Sequence, residues 1–417
     1  MRDFEHAYNV LKKVVNENTS FNLAVTSELK TEKRKIDNSY KTSINSVCGC
    51  VLRHYYVFKE IVNREYENLE EDKFLLISLG LANNLFAHKF NDDELFKFIE
   101  KESTLENVKD FILSHSDNTK LIPEDIEFGS RKYFSLRYNI PMWIVNMWEK
   151  NCGYVLSKKL YRSLNKKDFS SMVRINNNNI DDEAFFNKYT DLLPFEEKGV
   201  AFVKEGNLKH HPCLEDDALL YPLGYKFMCD SIDIDAFRGI AFYSGCPNHL
   251  LKELYLRIGK ELKMDYLVSD QKDYFEAHKF MKKFGLNNLA IFETKCDAMT
   301  SCISAPVHTM FVCPRNTSLN NLIEKPDYFL RIKQEDLDSL INEQKEALEN
   351  ASKHVEDNGY LIYFLPTVCR NETRTVVKKF LKGHPEFIFV DEKQLFPFDL
   401  YKSMLYFAIL KKEVKDD

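Results

Sequence analysis

The C-terminal half of the sequence alternates short apolar runs with helical patterns, and this alternation constrains the fold more than any other feature. The apolar runs span residues 240–243, 266–269, 289–292, 309–312, 360–364, 387–390 and 405–410, and the helical patterns span 249–262, 274–284, 335–354 and 370–381. Gly359 is expected to end the longest of these helices. Strands that alternate with helices build a doubly wound, mostly parallel sheet. We therefore predict an α/β domain over residues 216–417, with a ligand site at the carboxyl ends of its strands.

Residues 1–130 have a different, helical pattern. Apolar residues between positions 44 and 62 are spaced by three and four, which places them on one face of a helix. They are Ile44, Val47, Val51, Tyr55, Phe58 and Val62. Residues 74–88 are apolar nearly all round, as in the central helix of a bundle, and an amphipathic helix is expected at 92–102. We predict an all-α domain over residues 1–130.

Residues 131–215 mix short helical and strand-like pieces. Pro141 is expected just inside the start of a helix, because an N–H is not needed there. A strand is predicted at residues 172–176, and the polar tract at 176–179 is expected to form a loop. This pattern predicts a linker helix followed by a small α/β domain over residues 131–215.

Composition limits the class of protein. Hydrophobic residues make up 44% of the 417, so the chain can bury real cores. The N-terminus lacks a signal pattern and the best apolar run is too short to span a membrane, which predicts a soluble, cytoplasmic protein. Ten scattered cysteines favour reduced thiols over disulfides. Neither Cys48 with Cys50 nor His210 and His211 with Cys213 completes a ligand set, so no metal is predicted.

The formal net charge of −6 counts against strong non-specific RNA binding, which depends on many phosphate contacts. It does not exclude a local basic patch, because a sum says nothing about where the charges lie. No DNA or membrane partner is expected.

Several landmarks occur in a familiar order along nearly the whole chain. They are the linker segment 138–145, the strand Val173-Arg174-Ile175-Asn176, the triplet Lys325-Pro326-Asp327, the helical segment 344–351, and the late segments 384–387 and 394–397. In this order and spacing they resemble the NusB-fused RNA cytosine-5 methyltransferases of the RsmB/Sun type. The resemblance implies a NusB-like bundle, a small RNA-recognition-like domain and a C-terminal Rossmann-like class I methyltransferase domain. It also implies S-adenosylmethionine as cofactor and RNA as partner.

The chemistry of that family depends on two cysteines and an acid. A cysteine thiolate adds to carbon 6 of cytosine, carbon 5 attacks the methyl group of S-adenosylmethionine, and elimination restores the base. The family's Asp-Ala-Pro-Cys-Ser-Gly matches residues 313–318 here, so Cys313 replaces the acid and Asn316 replaces the nucleophile. Its second cysteine, in Ser-Thr-Cys-Thr, corresponds to Pro366. The resemblance therefore predicts that the reaction has been lost.

The cofactor loop departs from the family as well. The family's Ala-Pro-Gly-Gly-Lys, in which glycines let the backbone approach the cofactor, corresponds to residues 246–250, and of this motif Pro247 is retained. Two acids lie at matching places: Asp270, where the family binds the ribose, and Asp297, where it contacts adenine. Pro247, Asp270 and Asp297 are thus the candidate cofactor residues, although either acid could simply cap a helix.

The leading hypothesis is an RNA-associated, catalytically inactive homologue that binds rRNA or the small ribosomal subunit. Candidate RNA contacts, from their place in the resemblance, are Arg174, Arg131, Lys132 and Arg137, each of which could instead be a solvated charge or a structural ion pair. One alternative is an active methyltransferase with a rearranged site that uses Cys313 or Cys369. Another is a protein-binding scaffold without affinity for RNA.

Overall fold

The computed structural model describes residues 3–30, 38–164, 172–204, 206, 208–234, 238–245, 248–303, 305–399 and 403–414. The chain divides into two compact units. The helical unit contains Met1–Asn165 and Asn321–Gln334, and the sheet unit contains Lys166–Asn320 and Glu335–Asp417. The small sheet and the large sheet thus share one unit, while the boundaries at 130 and 215 stay a prediction.

Nine helices form the first part of the helical unit among the described residues. They are α1 (Asp3–Val15), α2 (Phe21–Lys30), α3 (Asn38–Arg53), α4 (Tyr55–Glu65), α5 (Glu71–Ala82), α6 (Asp92–Ser103), α7 (Val108–Ser114), α8 (Arg131–Tyr138) and α9 (Met142–Ser163), with a π-helical turn at Asn83–Ala87. All residues of α5 from Phe74 to Ala82 are buried, which confirms the prediction of a central helix. A side chain at Gly80 would lie 2.6 Å from the end of the Ile112 side chain, so any larger residue there would have to displace that side chain.

The apolar stripe from Ile44 to Val62 is carried by two helices, so the prediction of one helix was wrong. The chain leaves the helical conformation at His54, which has φ −120° and ψ 15°. The His54 ring donates a hydrogen bond from its Nδ1–H to the Cys50 carbonyl at 2.9 Å. The stripe keeps its phase through the break, and periodicity alone therefore could not locate it.

Helix α9 begins after Pro141, which occupies the N-cap, and is interrupted at Gly153, where φ is +76°. Only a residue without a side chain adopts this conformation readily. Among the described residues, no helix combines the length and apolar character that crossing a membrane requires.

The small sheet opens the sheet unit. Its elements are β1 (Met172–Ile175), α10 (Asp182–Lys188), β2 (Leu193–Pro194), β3 (Val200–Phe202) and β4 (Ala218–Leu219). The strands are antiparallel in the order β2-β3-β1-β4. The strand predicted at 172–176 is confirmed as β1, and Val173, Ile175 and Phe185 form the core beneath the sheet.

The large sheet has seven strands in the order β10-β11-β9-β8-β5-β6-β7. In chain order the elements are α11 (Gly224–Asp230), β5 (Ile240–Ser244), α12 (His249–Ile258), β6 (Met264–Val268), α13 (Gln271–Phe284), β7 (Leu289–Glu293), β8 (Val307–Cys313), α14 (Asn321–Glu324), α15 (Tyr328–Arg331), α16 (Leu337–Ser352), β9 (Val355–Leu365), α17 (Arg374–Gly383), β10 (Phe387–Leu395) and β11 (Leu405–Lys412). Strands β5 to β9 are parallel to one another, and β11 runs antiparallel to both β9 and β10. The predicted doubly wound, mostly parallel sheet is confirmed.

Gly359 lies inside β9 and does not end the preceding helix, so that prediction was wrong. The pairing of β8 with β9 shifts between Val307, opposite Val355, and Thr309, opposite Tyr360. A side chain at Gly359 would lie 2.8 Å from the His308 carbonyl oxygen. Glycine is therefore required by a strand bulge, a common role for glycine within a sheet.

Helices α14 and α15 return the chain to the helical unit. The Asp327 carboxylate is buried there and accepts a hydrogen bond from the Phe21 backbone N–H at 3.2 Å. It also forms an ion pair with Arg331 at 3.0 Å. The Phe329 ring packs 5.3 Å from the ring of Tyr55. These contacts fix the segment that contains Lys325-Pro326-Asp327 against the bundle.

Candidate functional site

The parallel strands β5, β6, β8 and β9 end at one edge of the large sheet, where the predicted site lies. The hydrogen bonding between β5 and β8 continues one residue past the end of β5, because the Gly245 N–H donates to the Cys313 carbonyl at 2.6 Å. Strand β9 ends at Leu365, next to Pro366. The edge therefore brings together the loops in which Cys313, Asn316 and Pro366 were predicted to replace catalytic residues.

Asn316 is used to shape its own loop. Its side-chain amide donates to the Pro314 carbonyl at 3.0 Å, and its side-chain oxygen accepts from the Ser318 N–H at 2.7 Å. The residue is 9% exposed, and Ser318 has a left-handed φ of +42°. Asparagine side chains that bond to nearby backbone stabilise tight turns, so the amide has a structural role here.

A buried carboxylate connects the two loops. Glu372, which is 0% exposed, accepts hydrogen bonds from the Thr317 N–H at 2.7 Å, the Thr317 hydroxyl at 2.5 Å and the Gln344 amide at 3.0 Å. The hydroxyls of Thr317 and Thr367 lie 2.8 Å apart. We call Thr317, Gln344, Thr367 and Glu372 the Glu372 network. Thr317 follows Asn316 and Thr367 follows Pro366, so the network joins the two positions that the resemblance assigns to cysteines.

Sequence analysis did not find the Glu372 network. Glu372 lies near the start of the segment 370–381 that was predicted to be helical, where a glutamate is ordinarily exposed. The helix begins later, at Arg374, and the connection at residues 366–373 buries Thr367, Glu372 and Thr373. Burial raises the pKa of Glu372, and the hydrogen bonds from Thr317 and Gln344 oppose that shift.

The two thiols of the rearranged-enzyme alternative are both buried. Cys313 is 1% exposed and Cys369 is 0% exposed. Burial raises the pKa of the Cys369 thiol, and the charge of Glu372 raises it further. A thiol is nucleophilic as its thiolate, which a buried site beside a carboxylate disfavours.

Gly245, the residue before the cofactor loop, packs closely against the loop that follows β8. A side chain at Gly245 would lie 2.5 Å from the backbone nitrogen of Arg315 and 2.9 Å from the carbonyl carbon of Pro314. The glycine, which directly precedes the cofactor loop at 246–250, thus lets the chain's own backbone approach closely. Pro247 lies outside the described residues. In the described part of the loop, Asn248 and His249 stand at the positions of the two glycines, and the Asn248 amide donates to the Asp273 carbonyl at 3.3 Å. With side chains at both positions, this part of the loop does not fit S-adenosylmethionine.

Asp270 and Asp297 lie beyond β6 and β7, as predicted. The Asp270 carboxylate caps α13 by accepting from the Lys272 N–H at 2.7 Å. Asp297 is exposed in a 3₁₀ helix, Cys296–Ser301. Neither acid lines the cavity of about 720 Å³ described below.

Tyr243, which sequence analysis did not single out, lies between these strand ends. It is 1% exposed at the end of β5, and its hydroxyl hydrogen-bonds with Ser269 after β6 and Cys296 after β7. Burial raises the pKa of Tyr243, and Cys296 and Glu343 raise it further. A large, buried side chain thus occupies this part of the edge where the resemblance places the nucleoside.

Arg174 is enclosed in the sheet unit. Its guanidinium donates to the Gly199 carbonyl at 2.8 Å and lies 3.5 Å from the buried Glu253 carboxylate. The side chain is 10% exposed. These contacts connect strand β1 with helix α12, and they engage the guanidinium inside the protein.

The other three RNA candidates lie on α8 and are exposed, but they differ in their partners. Arg131 pairs with Glu149 at 2.6 Å, and Lys132 pairs with Glu60 at 2.6 Å. Arg137 lines a cavity of about 720 Å³ within the helical unit. Among the described residues, no carboxylate forms an ion pair with Arg137.

The cysteine and histidine clusters form structural contacts. The Cys48 thiol is buried and donates to the Ala7 carbonyl, and the His211 ring bonds with Asp191 at 3.0 Å. No group of three or more metal-binding side chains occurs in the part of the chain that the structure describes. The nine cysteines described there are free thiols.

Three solved structures share the fold. PH0851 has a TM-score of 0.74 at 13% identity and covers 99% of both chains. A methyltransferase homolog protein from Pyrococcus horikoshii has a TM-score of 0.56 at 11% identity and covers 67% of this chain and 97% of its own. The fold is that of a methyltransferase. NSun6 from Pyrococcus horikoshii, solved with SFG, has a TM-score of 0.50 at 12% identity and covers 65% of this chain and 97% of its own.

The predicted fold class is confirmed as a helical N-terminal part with a C-terminal Rossmann-like methyltransferase domain. The sequence itself matches no protein-family model, and no curated protein is similar to it. At these identities the likeness concerns the fold alone. The NusB-like and RNA-recognition-like assignments stay predictions.

Proposed function

We propose that this protein is an RNA-associated, catalytically inactive homologue of the S-adenosylmethionine-dependent rRNA cytosine-5 methyltransferases, acting in the cytoplasm. Its partner is rRNA or the small ribosomal subunit. The methyltransferase fold supports the kinship, and the Glu372 network carries the argument that the reaction is lost.

The chemical argument concerns what the network replaces. Cytosine-5 methylation needs a thiolate that adds to the ring and later leaves it. Asn316 offers an amide that is already bonded to its own turn, and Pro366 offers no side-chain polar group. The polar side chains beside them bond to Glu372 inside the protein. This arrangement stabilises the two loops and supplies no nucleophile.

Burial of both candidate thiols argues against the rearranged enzyme. Cys313 and Cys369 would each need to reach a base and to ionise near neutral pH. Cys369 lies beside Glu372, and the charge of that carboxylate opposes thiolate formation. The close contact between Gly245 and Arg315 supports weak or absent binding of S-adenosylmethionine, and we derive no methyl transfer through it.

We assign the predicted RNA residues unequal parts. Arg137 is proposed as a direct contact, because its exposed guanidinium lines a cavity. Arg131 is paired with Glu149 and Lys132 with Glu60, and both are proposed to contribute only to the local electrostatic potential. Arg174 is proposed to organise the small sheet through Glu253.

The test is a filter-binding titration of the full chain with rRNA and with purified small ribosomal subunits at low and moderate salt. The proposal predicts binding that weakens as salt rises, since phosphate contacts release counterions. Absence of binding at low salt would overturn it in favour of the protein-binding scaffold, which the net charge of −6 also suits.

A further inference from the structure

A cavity lies within the helical unit. It has a volume of about 720 Å³, in the range of sites that enclose small ligands. One wall comes from α3, α4 and α8, and another comes from the segment of α14 and α15 that contains Lys325 and Pro326. The cavity therefore depends on the segment that directly follows the loop of Asn316 in the chain.

The charge that lines this cavity is positive. Arg53, Arg137 and Lys325 line it against a single carboxylate, Glu124. In the part of the chain that is described, neither Arg53 nor Arg137 forms an ion pair. By contrast, Arg131, which lies on α8 with Arg137, is paired with Glu149. Guanidinium groups that are free of internal partners are suited to bind phosphate in a bidentate manner.

The aromatic groups of the cavity offer flat surfaces. His54 stacks on Phe86, with ring centroids 4.1 Å apart and an interplanar angle of 16°. Burial lowers the pKa of His54, so the ring is neutral and its neighbours supply the charge. Tyr133 lines the cavity and packs 4.8 Å from Phe128, which is 78% exposed. Exposed aromatic rings beside cations are the usual platforms for unpaired bases.

We propose that this cavity binds a nucleoside phosphate, with the phosphate held by Arg53 and Arg137 and the base stacked on its aromatic wall. The ligand is either a free nucleotide or one unpaired nucleotide of an RNA strand. The inference rests on the proposed function if the ligand is a nucleotide of an RNA strand. It is independent of the proposed function if the ligand is a free nucleotide. The side-chain amide of Asn118, which lines the cavity, is available to bond a sugar or a base edge.

The experiment measures binding of AMP and of a short fluorescein-labelled single-stranded RNA to the full chain and to three variants. Arg53→Ala and Arg137→Ala each remove a guanidinium from the cavity. As the control, Lys101→Ala removes an exposed positive charge of the helical unit that does not line the cavity. Thermal melting of each variant checks that the helical unit stays folded.

The expected result is that AMP competes with the RNA, and that either cavity variant weakens the binding of both ligands by about tenfold. Lys101→Ala is expected to have little effect. Weakened AMP binding with unchanged RNA binding would assign the cavity to a free nucleotide. RNA binding that is equal in all variants, without AMP binding, would overturn the cavity site and leave the proposed function intact. If the wild-type chain binds neither ligand, both proposals fail.

Discussion

The Thr317 hydroxyl lies 2.5 Å from the Glu372 carboxylate and ties the loop after β8 to the loop after β9. Removal of the carboxylate by Glu372→Ala leaves the Thr317 N–H and the Gln344 amide buried without their acceptor. We expect a loss of about 3 kcal/mol in the free energy of unfolding, measured by urea denaturation.

The matched control is Glu335→Ala, which alters an exposed glutamate in the same unit and is expected to change stability by less than about 0.5 kcal/mol. Glu372→Gln retains the shape of the side chain and is expected to fall between the two. Equal stability of Glu372→Ala and wild type would contradict a structural role for the network.

Thiol labelling tests the burial of the two candidate nucleophiles. Cys313 and Cys369 are expected to react with maleimide only on unfolding, because a buried thiol is inert. Cys50, Cys152 and Cys302 are partly exposed and are expected to react first. Peptide mapping by mass spectrometry gives the order. Rapid labelling of Cys369 in the folded protein would reopen the rearranged-enzyme alternative.

Asp270 is expected to act as a helix cap. Asp270→Ala removes the acceptor for the Lys272 N–H and is expected to cost about 1 kcal/mol of folding stability. Asp297→Ala serves as the control, since Asp297 is exposed and precedes no comparable helix. Urea denaturation of both variants separates the effects. A stability loss that is equal in the two would be evidence against the cap.

His249 is expected to make stability depend on pH. Burial lowers the pKa of its imidazole from 6.5 to about 3, so the unfolded chain takes up a proton before the folded chain does. Above pH 6.5 the imidazole is neutral in the folded and the unfolded chain, so His249 does not lower the folding stability. As the pH falls from 6.5 towards 3, only the unfolded chain takes up the proton, and the folding stability decreases. Relative to His249→Gln, wild type should lose up to about 1.4 kcal/mol per pH unit in that window. A stability difference independent of pH would refute this.

The sheet could be predicted because its signal is local and repeated. Each strand from β5 to β9 is a short apolar run flanked by helical spacing, and the structure has all of them. The break at His54 and the bulge at Gly359 were missed for a related reason. In both places the apolar pattern continues while the backbone leaves the regular helix or strand geometry. The pattern of apolar residues therefore contains no sign of the break or the bulge.

The site was predicted only by position. Comparison of motifs placed Asn316 and Pro366 correctly in the loops that follow β8 and β9. The partners of those loops depend on contacts between residues 317 and 372, which lie far apart in the chain. Burial of a glutamate or an arginine, as at Glu372 and Arg174, has no signature in a single sequence, because both residue types are ordinarily exposed.

The most direct test of the account is transfer of a labelled methyl group from S-adenosylmethionine to RNA that the protein has been shown to bind in the same sample. Excess enzyme and single-turnover conditions make even slow chemistry visible. The account predicts bound RNA and no methyl group transferred, for wild type and for Cys313→Ala and Cys369→Ala alike. Methylation of cytosine by wild type that disappears in either cysteine variant would contradict it.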